Sequence, residues 1–185
     1  AMLEGIDGVI ARESPDVLLV YGDTNSTLAG ALAGAKRDTL VAHVEAGLRS
    51  RDRSMPEEIN RILTDHCSDL LLVPSERAAR TLADEGVDTG VHETGDVMYD
   101  ALLAVRDRAR AFSSVLDDLG HDPGEYVLAT VHRAANTDDP DRLDAILEGL
   151  ASSPLPVVFP AHPRTIEALA RPDLSLPDGN DRVDP

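Results

Sequence analysis

Val17-Leu18-Leu19-Val20-Tyr21 runs directly into Gly22-Asp23-Thr24-Asn25-Ser26-Thr27, and an Ala-rich stretch over residues 28–36 follows. Five apolar residues, a polar turn and a helical pattern read as the opening of a βαβ unit. Working outward, the same rhythm repeats. Leu40-Val41-Ala42-His43-Val44 is a second strand leading into a loop rich in Arg and Ser. Pro56-Glu57-Glu58 opens a helix, because proline suits the first helical position and acids suit the first turn. Ile59, Ile62, Leu63 and Cys67 continue it at helical spacing. Leu70-Leu71-Leu72-Val73 is a third strand, and Pro74-Ser75-Glu76 starts a helix through Leu82 with Gly86 as its stop. A weaker strand over residues 91–94 precedes Gly95-Asp96 and a helix over residues 98–119. The rhythm then restarts: a strand over 126–131, a helix over 140–150 capped by Asp138 or Asp139, a strand over 156–159 and a short helix over 165–170. The tail after Arg171 reads as loop, which leaves the second sheet two strong strands. Continuous apolar strands alternating with helices predict parallel sheet covered on both faces, in a doubly wound α/β architecture.

The chain has 185 residues, long enough for a substantial core. Its 34 acidic against 17 basic side chains give a net charge of −17, which argues against nucleic acid or an anionic membrane as partner. With 42% hydrophobic and 28% charged residues, disorder of the whole chain is excluded. No apolar run is long enough to span a bilayer and the start lacks a secretory pattern, so the expectation is a cytoplasmic protein. Asp is abundant, Lys36 is the single lysine, and there are two Phe, three Tyr and no Trp. That balance fits a cytosol rich in salt, where screening relieves self-repulsion; the plainer alternative is an acidic protein of ordinary salt. One cysteine, Cys67, excludes an internal disulfide and reads as a buried inert thiol.

In such sheets function gathers beyond the carboxyl ends of the strands. Asp23, then His43 and Glu45, then Ser75 fall after the first three strands, and His132, Arg133 and His162 fall after the next two. Each has a plain structural explanation on its own. Asp23 suits a turn or helix cap, Glu57 and Glu58 suit a helix dipole, the histidines suit satisfied structural positions, and Arg49, Arg51 and Arg53 suit a solvated run. Their joint placement on strand ends is what favours a site. His43-Val44-Glu45 lacks a second ligand pair for zinc, no Walker loop or Gly-x-Gly-x-x-Gly fingerprint appears, and Ser75 lacks the glycines of a nucleophile elbow. What remains is acid–base chemistry on a negatively charged substrate.

Gly22-Asp23-Thr24, His43-Val44-Glu45-Ala46-Gly47-Leu48-Arg49 and Pro56-Glu57-Glu58-Ile59-Asn60-Arg61 closely resemble the non-hydrolysing UDP-N-acetylglucosamine 2-epimerases. Thr130-Val131-His132-Arg133 and Phe159-Pro160-Ala161-His162-Pro163 fit the same family in order and spacing, so the resemblance covers roughly residues 15–170. It implies two Rossmann-like doubly wound parallel-sheet domains of glycosyltransferase-B type with UDP-sugar between them. Residues 1–95 would be the later part of the first domain and 96–185 the first part of the second, making this chain a central fragment of a protein about twice as long. Alone it would be inactive, lacking the basic loop and the nucleotide-gripping segment of the family. One departure stands out: Ala135 occupies a position where the family usually has Glu.

The resemblance further implies epimerisation at C2 of UDP-N-acetylglucosamine to UDP-N-acetylmannosamine, by elimination and re-addition of UDP through a 2-acetamidoglucal. A base on one face of C2 and an acid on the other account for several carboxylates around one ring. Asp23, Glu45 and Glu57 are the implied acid/base groups, and His132 stabilises or protonates the departing UDP. Arg133 and His162 would contact phosphates or a UDP-sugar. UDP-sugar is also implied as an allosteric activator beside the active site, a second assignment open to Arg133 and His162. No metal or redox cofactor is called for, and a homodimer at full length and a role in cell-surface polysaccharide supply are implied. Two alternatives stand: a UDP-sugar-binding fragment without catalysis, and a related glycosyltransferase or sibling epimerase acting on a modified UDP-sugar.

Overall fold

The computed structural model describes residues 1–170 and 181–183. The chain divides into two compact units, Ala1–Asp107 and Arg108–Pro185. In the first, the elements run α1 (Met2–Glu13), β1 (Val17–Tyr21), α2 (Asn25–Lys36), β2 (Leu40–Val44), α3 (Pro56–His66), β3 (Leu70–Val73), α4 (Glu76–Asp84) and β4 (Val91–Glu93). The four strands form one parallel sheet in sequential order β1-β2-β3-β4. Tyr21 pairs with Val44 and Val44 with Leu72, so the carboxyl ends of the first three strands lie side by side. That alignment gathers the loops beginning at Gly22, Glu45 and Pro74 at one edge.

Small residues let α2 lie close on the sheet. A Cβ at Gly34 would come within 2.7 Å of Val41, and Val20, Ala31 and Val41 make the buried cluster beneath. A second cluster, Ala46, Leu71, Val73, Ala78 and Leu82, fixes α4 on β3. On β1 the alternate residues Val17, Leu19 and Tyr21 are exposed. Helix α1 is not foreseen by the sequence pattern, because Gly5 and Gly8 interrupt it. Tertiary packing against α2 and the ion pair of Arg37 with Asp7 support it instead. The helix start at Asn25 lies earlier than expected, since Thr24 caps it by accepting the Thr27 N–H.

The single helix expected over residues 98–119 is two helices, α5 (Val97–Phe112) and α6 (Val115–Leu119). Ser113 and Ser114 separate them, with Ser114 Oγ donating to Asp118 (2.8 Å), a local bond that competes with helix continuation. The division between the units falls within α5.

The second unit continues with β5 (Val127–Leu128), α7 (Ala134–Thr137), α8 (Pro140–Ala151), β6 (Val157–Pro160), α9 (Pro163–Leu169) and β7 (Asp181–Val183). Strand β5 is shorter than the expected 126–131, because only Val127 and Leu128 find register partners on β6. Of the tail read as loop, Asp181–Val183 instead pairs parallel with β6 and gives this sheet a third strand; the rest lies outside the described residues. Leu143, Leu147, Phe159 and Ala168 form its buried cluster. Asp139 is the residue that caps α8.

Candidate active site

His43, Gly47 and Arg49 converge on one side chain that the sequence reading passed over, Asp65 of α3. His43 Nδ1 lies 2.7 Å from Asp65 Oδ1, while Oδ2 accepts from the Gly47 N–H (3.1 Å) and from Arg49 Nη1 (2.7 Å). The other ring nitrogen of His43, Nε2, lies 2.8 Å from the Gly22 carbonyl, which can only accept, so Nε2–H is the donor there. His43 and Asp65 are wholly buried. His43 is therefore a structural link between the first two strand ends and α3, as the plainer reading of the histidines allowed.

Arg49 belongs to no solvated run. Its side chain is 3% exposed and also forks onto Glu85 through Nε (2.8 Å) and Nη2 (2.7 Å). Burial works against the Arg49 charge, but hydrogen bonds and attraction from Glu85 and Asp65 outweigh it and raise its pKa; the Arg49 guanidinium in turn holds the Glu85 carboxyl below its usual range. Gly47 is required where it stands: at φ +78 any Cβ would meet the Ala78 carbonyl at 2.4 Å. Most of the His-x-Glu-Ala-Gly-Leu-Arg string thus builds a clamp, and the residue the clamp presents is Glu45.

Glu45 itself has φ +69, a conformation costly for a side chain with a Cβ. Ala46 N–H on the Leu72 carbonyl (3.3 Å) and Gly22 N–H on the Val44 carbonyl (3.1 Å) hold the turn on either side. Its carboxylate takes no hydrogen bond among the described residues and faces Gly22, where an added Cβ would lie 3.8 Å from Oε2. Asp23, one residue on, accepts from Arg61 Nη2 at 2.6 Å and is about a quarter exposed. Asn60 Nδ2 donates to the Asp23 carbonyl and to Asn25 Oδ1, both at 2.9 Å, and so fixes the loop.

Glu57 is exposed in the first turn of α3, one helical turn before Arg61. Its neighbour Glu58 is buried and does something else. It accepts from Ser50 N–H (2.7 Å), Ser50 Oγ (2.9 Å) and Arg51 N–H (3.0 Å), tying the loop after β2 to the start of α3. Burial pushes the Glu58 carboxyl up, but these bonds outweigh it and hold it below the ordinary 4.5. Ser75 caps α4 by accepting the Ala78 N–H. Cys67 is half-buried at the end of α3, and burial pushes its thiol up, as an inert cysteine requires.

In the second unit His132 and His162 come together, with ring centroids 5.8 Å apart. His162 caps α9: its Nδ1 accepts the Arg164 N–H, leaving Nε2 as the outward donor. His132, Arg133 and His162 are all exposed. Their loop is anchored by two buried threonines, Thr165 Oγ1 donating to the Val131 carbonyl (2.5 Å) and Thr137 Oγ1 to the Arg133 carbonyl (3.3 Å). Ala135 is exposed on α7 and presents a methyl group where the resemblance leads one to expect a carboxylate. Among the described residues no three His, Cys, Asp or Glu side chains are placed to hold a metal, and no helix is long and apolar enough to cross a membrane.

Two parallel sheets alternating with helices define an α/β fold whose loops after the strand ends are where sites of such folds gather. Comparison with known proteins narrows it. The family model described as UDP-N-acetylglucosamine 2-epimerase matches residues 1–182, and the chain belongs to that family. It is 50% identical over 171 residues to a UDP-N-acetylglucosamine 2-epimerase homolog of Methanococcus maripaludis, covering 92% of this chain and 48% of that protein. It is 48% identical over 181 residues to the UDP-2,3-diacetamido-2,3-dideoxy-D-glucuronate 2-epimerase of Pseudomonas aeruginosa, covering 95% and 50%. It superposes on the crystal structure of Methanocaldococcus jannaschii UDP-GlcNAc 2-epimerase in complex with UDP-GlcNAc and UDP with a TM-score of 0.89. There the identity is 40%, over 100% of this chain and 53% of that one. The chain thus spans about half the length of the relatives it matches, and the fold class is the glycosyltransferase-B-type α/β fold of those enzymes.

Proposed function

We propose that the protein carrying this chain epimerises C2 of a UDP-N-acetylhexosamine, UDP-N-acetylglucosamine to UDP-N-acetylmannosamine, by eliminating and re-adding UDP. The observation that carries this reading is the juxtaposition of Asp23 and Glu45 on adjacent strand ends, the Glu45 carboxylate facing Gly22 in a strained turn. Strain of that kind is maintained where it positions a reacting group.

In the proposed reaction one carboxylate of Asp23, Glu45 and Glu57 removes the C2 proton. The C–H electrons form the C1–C2 double bond as the C1–O bond breaks, and its pair leaves with UDP. Return of UDP to C1 with protonation of the opposite C2 face gives the epimer. His132 stabilises or protonates the departing UDP, and Arg133 and His162 contact phosphate, in this site or in an activating UDP-sugar site beside it. The domain reading, residues 1–95 and 96–185 as parts of two Rossmann-like domains, belongs to the same proposal. So do a homodimer, a cytoplasmic location, supply of cell-surface polysaccharide and adaptation of the acidic surface to high salt.

A second reading, a sibling epimerase acting on a modified UDP-sugar, is favoured by the 48% identity to an enzyme named for a diacetamido-glucuronate nucleotide. Both readings share the test. The complete gene product in D2O should place deuterium at C2 of its product and scramble oxygen between bridging and non-bridging phosphate positions. Asp23→Asn, Glu45→Gln and Glu57→Gln should each lower kcat by roughly 10²–10⁴-fold where that group transfers a proton. Product free of deuterium, or three variants with normal kcat, overturns the mechanism.

A further inference from the structure

Asp65 is wholly buried in α3, and no step of the proposed reaction uses it. Its two oxygens tie both flanks of Glu45: Oδ1 meets His43, two residues before, and Oδ2 accepts from Gly47, two residues after. His43 carries the tie further, because its Nε2–H donates to the carbonyl of Gly22, the peptide that leads into Asp23. Arg49, the third partner, is itself held by its fork onto Glu85. One side chain thus joins α3 to the ends of β1 and β2.

Stability alone does not call for this arrangement. A buried ion pair adds little over packed apolar side chains of the same volume. What the carboxylate supplies instead is direction, since charge-assisted hydrogen bonds fix their partners in distance and angle. The backbone so fixed is strained at Glu45, φ +69, and such a conformation persists only where its surroundings over-determine it.

Asp23 and Glu45 depend on this frame unequally. Arg61 and Asn60 hold Asp23 independently, by its carboxylate and its carbonyl. The Glu45 carboxylate has no such partner among the described residues, so the turn beneath it sets where it points.

We propose that Asp65 is a positioning residue of the reaction: it holds the turn that aims the Glu45 carboxylate, and its effect on turnover passes through Glu45. This rests on the epimerase reading above and adds to it a side chain that never touches substrate.

The test is a double-mutant cycle in the complete gene product, read as kcat, KM and the rate of deuterium entry at C2 of UDP-N-acetylglucosamine in D2O. Asp65→Ala should lower kcat and deuterium entry together by about 10–100-fold, with KM changed less than about threefold. Asp65→Asn should recover most of that loss, because its amide can accept from Gly47 and Arg49 and donate to His43 Nδ1. In a Glu45→Gln background, adding Asp65→Ala should cost less than about threefold more. Ile10→Ala, a core truncation in α1 outside the clamp, should lower the melting temperature while kcat of the folded fraction stays level. Should Asp65→Ala fail to fold, Asp65→Ser enters the same cycle, its hydroxyl serving fewer partners in a smaller cavity. Unchanged kcat in the folded variant overturns the proposal. So does a loss that multiplies in full with Glu45→Gln, or an Asp65→Asn no more active than Asp65→Ala. Absence of deuterium from the unsubstituted protein's product removes the epimerase reading and the positioning role with it. Deuterium entry there, undisturbed by loss of Asp65, removes the positioning role alone.

Discussion

Glu45 occupies a left-handed backbone conformation at φ +69, and that choice separates stability from chemistry at a single residue. A residue with a Cβ in this region carries about 1–2 kcal/mol of strain that glycine would not. Glycine also adds unfolded-state freedom worth about 0.5–1 kcal/mol, so the two effects largely offset. Glu45→Gly should therefore leave the melting temperature level or slightly raised while turnover falls by roughly 10²–10⁴-fold. Calorimetry beside a turnover assay checks this, and a variant that keeps its activity would return Glu45 to the scaffold. His43, in the same string, is the opposite case: its two nitrogens serve Gly22 and Asp65 inside the core, so it belongs to the scaffold.

At the scale of elements, α3 carries the organisation of the site. Within eleven residues it presents Glu57 to solvent, Arg61 to Asp23, Asn60 to the Asp23 loop and Asp65 to the clamp around Glu45. Glu58 joins it to the loop bearing Arg51, and its carboxyl lies below the ordinary 4.5 in the folded protein. A carboxyl lowered on folding adds stability above its unfolded value, and that stability is lost as pH falls through the folded one. Glu58→Gln should thus lower stability at pH 7 by about 1–3 kcal/mol, through weakened bonds to Ser50 and Arg51. The gap to the unsubstituted protein should close as pH drops below about 4.5. Urea midpoints across that range test it; a gap that widened on acidification would contradict the assigned role.

For the whole molecule the governing quantity is a net charge of −17 carried with a single lysine. Self-repulsion among surface carboxylates is screened over about 10 Å at 0.1 M salt and about 3 Å at 1 M. If the surface is adapted to salt, the melting temperature of the complete gene product should rise steeply between about 0.1 and 2 M KCl. A flat curve would leave an acidic protein of ordinary salt.

Strand and helix periods are local, and so the sequence by itself determined the alternating βαβ order, the parallel sheets and the placement of Asp23, Glu45 and His162 just beyond strand ends. The family strings were legible for the same reason, as short runs of contiguous residues. The interruption at Ser113-Ser114, the third strand of the second sheet and helix α1 were not, because serine bonding, register and packing against α2 override a weak period. Only the tertiary structure decided which polar residues belong to the scaffold. His43, Gly47 and Arg49 meet Asp65 across 22, 18 and 16 intervening steps of chain, a convergence fixed by where β2 and α3 pack. Likewise Glu57 and Glu58 read alike in sequence, yet the helix turns one to solvent and the other into the fold. Adjacent positions on a helix point about 100° apart, and burial, not composition, sets their roles.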